Sequence, residues 1–172
     1  MGKSPYRSGG LVMITIRCET GEDVEVDGDS LIGAQLPGRN FHRALLENQD
    51  LSRVNLAGSD LRSAWLNDAI LDDADLSEAR MPACSAARAR FIRANLTGAF
   101  LRSAGLESAD FTNANLRGAN LGRARLHGAR LAGANLEGAD LSDADLRDAT
   151  ADDTTVWPQG FEPTARGVRV VS

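Results

Sequence analysis

Residues 94–146 read ANLTGAFLRSAGLESADFTNANLRGANLGRARLHGARLAGANLEGADLSDADL, in which a large apolar residue returns at every fifth position with alanine two residues before it. The same phase extends back through Leu31, Leu36, Phe41, Leu46, Leu51, Leu56, Leu61, Leu66, Leu71, Leu76, Met81 and Phe91, with one lapse at Ala86. A period of five is neither that of a helix nor that of a strand, so it is a repeat to be explained before local propensity is considered.

A residue buried at every fifth position, with a small residue two before it also facing inward, obliges the backbone to turn outward between burials. A helix would instead spread these leucines around all its sides. The intervening residues are Asn, Asp, Gly, Ser and Arg, several of them suited to turns or to left-handed backbone angles. Each pentad is therefore a short extended piece plus a corner. Four such pieces make a coil of twenty residues, and two columns support that period. Gly38, Gly58, Glu78, Gly98, Gly118 and Gly138 lie twenty apart and mark one corner as tolerant of positive φ, while Gln35, Asn55, Asp75, Asn95, Asn115 and Asn135 predict a side-chain amide ladder.

Units such as Ala94-Asn95-Leu96-Thr97-Gly98, Ala114-Asn115-Leu116-Arg117-Gly118, Ala134-Asn135-Leu136-Glu137-Gly138 and Ala139-Asp140-Leu141-Ser142-Asp143 resemble the pentapeptide-repeat family. The resemblance spans residues 29–150. It implies an all-β chain wound as a right-handed four-sided parallel β-helix, with about six coils at ~4.8 Å per coil. Departures at Arg39, Gln49, Val54 and Ser59 in the alanine slot predict that the first coils are the least regular. Around Ala86, either Met81 or Phe91 leans into the vacated space or the backbone bulges.

Outside the repeat, residues 1–11 read as a flexible arm. Residues 12–28 read as strand, turn and strand, forming either a cap on the first coil or a separate binding hairpin. Residues 151–172 contain Thr-x-Trp-Pro-x-Gly-Phe-x-Pro, resembling the ending of many bacterial pentapeptide-repeat proteins. Val156, Trp157 and Phe161 are the residues expected to plug the last coil, with homodimerisation through an end of the rod as the alternative.

Net charge is -5, which argues neither for a nucleic-acid binder nor for a strongly acidic mimic. No apolar run approaches a membrane span and no signal-peptide core is visible, so a cytoplasmic location is expected. Cys18 and Cys84 are too few and too far apart for a disulfide framework or metal motif. His42 and His127 fall in outward slots several coils apart, and no phosphate loop, nucleophile elbow or metal spacing appears. A non-enzymatic binding scaffold without cofactor or metal is the expectation.

Two surfaces could bind. The acidic residues Asp60, Asp68, Asp72, Asp73, Asp75 and Glu78, with Asp140, Asp143 and Asp145 nearer the end, could imitate the phosphates of a duplex. Family members to which that mechanism is attributed bind DNA gyrase or topoisomerase IV and relieve inhibition by quinolones or toxins, so the resemblance implies a type II topoisomerase as partner. The rival is a protein contact through Leu45, Trp65, Ile70 and Phe100. Most arginines have an explanation within the chain, because residues twenty apart stack: Asp73 with Arg93, Asp68 with Arg88, Arg117 with Glu137 and Arg123 with Asp143 should pair across coils. Direct nucleic-acid binding through Arg80, Arg88, Arg90, Arg93 and Arg102 is the less favoured reading.

Overall fold

The structure, a computed structural model, describes residues 12–171; the arm expected over residues 1–11 lies outside them. Each outward excursion between buried apolar residues is a tight turn. The N–H of the residue three after the apolar one bonds back to its C=O, as from Ala94 to Phe91 at 3.1 Å and from Ala114 to Phe111 at 2.9 Å. The third turn residue has positive φ, the mark of a type II turn. Sixteen non-glycine residues adopt this backbone, with φ from 53° to 59°. The glycine column does take positive φ, at Gly38, Gly58, Gly98, Gly118 and Gly138, and the other corners share it. Every pentad needs the same turn, and glycine only lowers its cost.

Asparagine and aspartate also acquire a local reason. The side-chain oxygen of the residue just before the apolar one accepts the N–H two positions on, as Asn95 does from Thr97 (3.2 Å), Asn115 from Arg117 (3.2 Å) and Asp140 from Ser142 (2.9 Å). Such Asx turns secure the corner. The predicted amide ladder is realised only in part, by Asn55 Nδ2 to Gln35 Oε1 and Asn95 Nδ2 to Asp75 Oδ1, both at 3.1 Å.

Successive coils are tied by three backbone bonds per pentad, one of them donated by the positive-φ turn residue, as from Gly98 to the Arg117 C=O at 2.9 Å. The apolar residue donates to the C=O nineteen residues ahead (Leu96 to Asn115, 2.7 Å), and its predecessor donates to the C=O twenty-one residues back (Asn95 to Ala74, 2.9 Å). Parallel bridges between residues twenty apart then form four ladders, beginning at Gln35, Asn40, Leu45 and Asp50. Inside them the Leu, Phe and Ala positions form one continuous buried core. Ala86 does not break it: its N–H reaches Gly105 at 2.7 Å, so the backbone does not bulge, and neighbouring Phe91 stacks on Phe111 with ring centroids 4.9 Å apart.

The early departures behave differently from one another. Val54 and Ser59 are buried, and the Ser59 hydroxyl donates to the Leu36 C=O at 2.9 Å. Arg39 and Gln49 turn outward instead, Arg39 reaching the Glu25 C=O at 3.2 Å. The reason is that their coil has no coil beneath it to close the slot.

At that end β1 (Met13–Ile16) and β2 (Val24–Asp27) form an antiparallel hairpin. Just after β1 the chain pairs with the first coil through the Cys18–Ala44 bridge and the Leu45 N–H to Arg17 C=O bond at 2.8 Å. Ile16, Val24 and Val26 join the buried core.

At the far end the register shifts. The last bridge of the first ladder joins Asn135 to Val156, twenty-one residues apart, because the turn after Ala151 holds one extra residue. Val156 therefore points outward and is 45% exposed, which corrects its expected role as a plug. Trp157 takes the place above Leu136, stacks on Phe161 at 5.2 Å and packs against the core. One closing residue escapes sequence reading: Thr155, whose buried hydroxyl donates to Leu131 C=O at 2.9 Å. The short strand suggested by Val168-Arg169-Val170 forms as β4 (Arg169–Val170), pairs in parallel with β3 (Thr150–Ala151) and sets Val168 in the core.

The turns yield a stability prediction. Ala83, at φ 53°, carries the left-handed penalty without a side-chain bond, so Ala83→Gly should stabilise the protein by about 0.5–1 kcal/mol after allowing for the unfolded chain's entropy. Gly138 has open space around it but φ 69°, and Gly138→Val should destabilise by about 1–2 kcal/mol, both read from urea unfolding midpoints.

Candidate functional site

The four ladders decide which surface residues share a face. Asp75 lies in the first ladder, Asp60 and Asp140 in the second and Asp145 in the third. Asp68, Asp72, Asp73, Glu78 and Asp143 lie at turns between ladders, so residues close in sequence are carried around the rod. The nine candidate carboxylates do not form one array.

Most are also neutralised. Arg88 grips Asp68 through Nε and Nη2 at 2.8 and 2.6 Å, and Arg93 grips Asp73 at 2.7 and 2.6 Å, each pair standing one coil apart at one corner. Arg90 reaches Asp72 at 2.5 Å, Arg62 reaches Asp60 at 2.7 Å, Arg147 reaches Asp145 at 2.6 Å and Arg123 lies 3.6 Å from Asp143. Arg117 with Glu137 at 3.4 Å completes the column pairs expected from sequence. Among the candidates only Asp75, Glu78 and Asp140 make no ion pair with a described residue. The Glu78 carboxylate folds over Gly98, where an added Cβ would sit 2.2 Å from Oε1, so a side chain at 98 would displace the Glu78 carboxylate.

These pairs are exposed and screened by solvent, so each contributes little to stability. Their effect on charge state is clearer. Arg88 and Arg93 hold Asp68 and Asp73 below the usual carboxylate range, and the Arg147 guanidinium brings Asp145 down to about 2. Asp152 also falls to about 2, held first by the Thr154 hydroxyl and then by the Gly133 N–H.

Of the arginines once grouped as a basic stripe, Arg88, Arg90 and Arg93 are thus engaged. Arg80 is a rung of the second ladder, bridged to Asp60 on one side and Phe100 on the other, and Arg102 lies in the turn after Leu101. His42 and His127 occupy different turns, and His127 Nδ1 lies 3.8 Å from Asp148 Oδ2. Buried Cys84 has its thiol pushed up to about 12 by desolvation, which leaves it an inert small residue in an alanine slot. No grouping of metal-ligating side chains occurs among the described residues.

The apolar candidates separate as well. Leu45 and Trp65 are consecutive in the third ladder, 40% and 38% exposed, and half-buried Ile70 lies in the adjoining fourth ladder. Phe100 is 40% exposed but belongs to the second ladder, on the other flank of the third and nearly two coils away from Trp65 along the chain. The contiguous patch is therefore Leu45, Trp65 and Ile70. Glu19, two residues beyond Arg17 of the hairpin, borders it: Arg43 Nη2 binds its carboxylate at 2.6 Å and holds it below its ordinary value, and the Trp65 indole adds to that effect.

The sequence pattern described as pentapeptide repeats matches residues 30–68, 40–77, 69–107 and 109–148. The chain belongs to the pentapeptide-repeat family. Among solved structures it is similar to the pentapeptide-repeat protein Rfr23 of the cyanobacterium Cyanothece 51142, with 32% identity over 74% of this chain and 87% of that one and a TM-score of 0.48. It is also similar to HetL of Nostoc sp. strain PCC 7120, involved in heterocyst differentiation regulation, with 28% identity, coverage of 72% and 73% and a TM-score of 0.33. QnrB1, a plasmid-mediated fluoroquinolone resistance protein, shares 17% identity over 81% of this chain and 85% of its own, with a TM-score of 0.40. No curated protein sequence matches the chain.

The lowered carboxylates make stability pH-dependent in one direction. A group with a depressed folded pKa contributes fully above its unfolded value of 3.8 and loses that contribution as pH falls toward about 2. The thermal midpoint of this pentapeptide-repeat protein should drop between pH ~4 and ~2. Asp152→Asn, which keeps an acceptor for Thr154, should flatten part of that drop when measured by circular dichroism.

Proposed function

We propose that this protein is a non-enzymatic cytoplasmic scaffold that holds a protein partner against Leu45, Trp65 and Ile70. The rod that presents them is read as a right-handed, four-sided coil of about six turns, ~4.8 Å per turn. The observation that carries the reading is the Leu45–Trp65 pair, stacked in one ladder and left over a third exposed although the neighbouring hairpin reaches Leu45 by a backbone bond. A rigid ladder fixes both side chains at little entropic cost, and tryptophan at the centre of a patch is a frequent anchor of protein interfaces. The Arg43–Glu19 pair supplies the polar rim.

Duplex mimicry toward a type II topoisomerase is the second reading. The carboxylates of Asp75, Glu78 and Asp140, which make no ion pair with a described residue, support it. The arginine pairs on Asp60, Asp68, Asp72, Asp73, Asp143 and Asp145 weigh against it, since a duplex presents unpaired charge at ~1.7 Å intervals. Neither reading requires the rod to bind nucleic acid or to dimerise.

A photo-crosslinking residue placed at 65 should trap a protein in bacterial cells, one placed at 115 in the first ladder should trap none, and Leu45→Ser with Trp65→Ser should abolish co-isolation of the trapped protein. Gyrase supercoiling, with or without a quinolone, should be unchanged by micromolar protein. Protection of gyrase that is lost in Asp75→Asn with Glu78→Gln would replace the first reading by the second.

A further inference from the structure

The rod closes unevenly at its C-terminal end. In the coil below, the second ladder is fully bonded: Leu121 N–H to Asp140 C=O at 2.8 Å, Arg123 N–H to Ser142 C=O at 2.8 Å and Asp140 N–H to Ala119 C=O at 2.9 Å. One coil higher, the equivalent groups are Leu141 N–H, Asp143 N–H and Ala139 C=O. No described backbone group bonds to any of the three. The tail bonds parts of the other ladders, with Leu136 N–H to Val156 C=O at 2.7 Å in the first and Arg169 N–H to Ala149 C=O at 2.8 Å in the fourth.

The core is also less well covered here. Ala139, Leu141 and Ala144 are 7%, 5% and 6% exposed, against 0–2% for every apolar core position from Phe41 to Leu136. Above them opens a cleft of 290 Å³ lined by Ala139 to Ser142 on the coil and by Pro158 to Phe161 and Arg166 on the tail. Arg166 is already engaged as the far wall, with Nη2 on the Ala144 C=O at 3.3 Å and its guanidinium 5.6 Å from the centre of the Phe161 ring.

We infer that this edge takes an extended peptide segment as an added rung, with a large aliphatic residue flanked by basic ones. Three backbone bonds repeat those one coil below: the peptide N–H to Ala139 C=O, Leu141 N–H to the C=O of the same peptide residue, and Asp143 N–H to a C=O two residues on. The register then places an aliphatic side chain over Leu141, inside the cleft against Phe161 and Pro158. Outward neighbours stack over Asp140 and Asp143. Asp140 makes no ion pair with a described residue, so lysine or arginine over it complements its charge, and a second basic residue over Asp143 shares that carboxylate with Arg123, 3.6 Å away.

The inference concerns the opposite end of the chain from Trp65 and is independent of the proposed function. The probe is a fluorescein-labelled, end-blocked Gly-Lys-Leu-Ser-Lys-Gly peptide, titrated into the full chain by anisotropy with amide exchange followed by NMR. Saturable binding is expected, with exchange slowed at Leu141 and Asp143. Binding should weaken at least tenfold when both peptide lysines become glutamate, or in Asp140→Asn with Asp143→Asn, where asparagine keeps the turn contacts and an unchanged circular dichroism spectrum reports an intact rod. No binding at millimolar peptide, undiminished affinity in the double variant or protection elsewhere would overturn it. Slowing of the same amides by self-association without peptide would also overturn it, by giving the edge to a second copy.

Discussion

Every coil depends on bonds to residues nineteen and twenty-one positions away, and almost nothing regular is held by contacts closer in sequence than that except the turns. The apolar interior gives this lattice its driving force, at about 1.5–3 kcal/mol for each large side chain removed from water. The lattice in turn fixes what the surface can be. Because each coil uses its neighbours above and below for both donors and acceptors, the ladder groups in the middle of the rod are already bonded, and specificity there rests on side chains. Only the two ends differ.

The same lattice explains the charge pattern. Side chains at equivalent positions of adjacent coils are forced within reach of each other, so like charges would repel along the whole column and alternating signs relieve that. Asp68 with Arg88 and Asp73 with Arg93 are the result. The acidic residues that precede the apolar positions have a further task, since Asp60, Asp110, Asp140 and Asp145 each accept a backbone N–H at a corner. A carboxylate on this rod is thus more often a fastener than a recognition element, and the unshared features of the surface are apolar: Leu45 and Trp65 interrupt columns that are otherwise polar.

The five-residue phase made the inward residues and the column pairs legible before any coordinates, because both follow from counting. Three things did not follow. The acidic run from Asp68 to Glu78 reads as one patch along the chain but wraps around the rod, since ten residues pass two corners. The positive φ at all corners was hidden by the fact that Arg, Asp and Ser fill it as often as Gly, paying a conformational cost that burial offsets. The tail was misread at Val156 because it continues the phase arithmetically. The signal for Thr155 was the Asp152-Asp153-Thr154-Thr155 run, in which a hydroxyl can add a second bond to the Leu131 carbonyl beside that from the Ala134 N–H.

The extra residue in the turn after Ala151 has a consequence for how long such a rod can be. A lattice whose rungs repeat identically has no intrinsic length, and another chain's rungs could continue it indefinitely. By moving the next rung one residue out of phase, the turn turns an outward position into the one that Trp157 fills and replaces the repeating alanine by Thr155, whose hydroxyl also bonds the Leu131 carbonyl. A single inserted residue thereby puts the closing rung out of step with the pentads below it, so that the first ladder cannot be continued in the same phase.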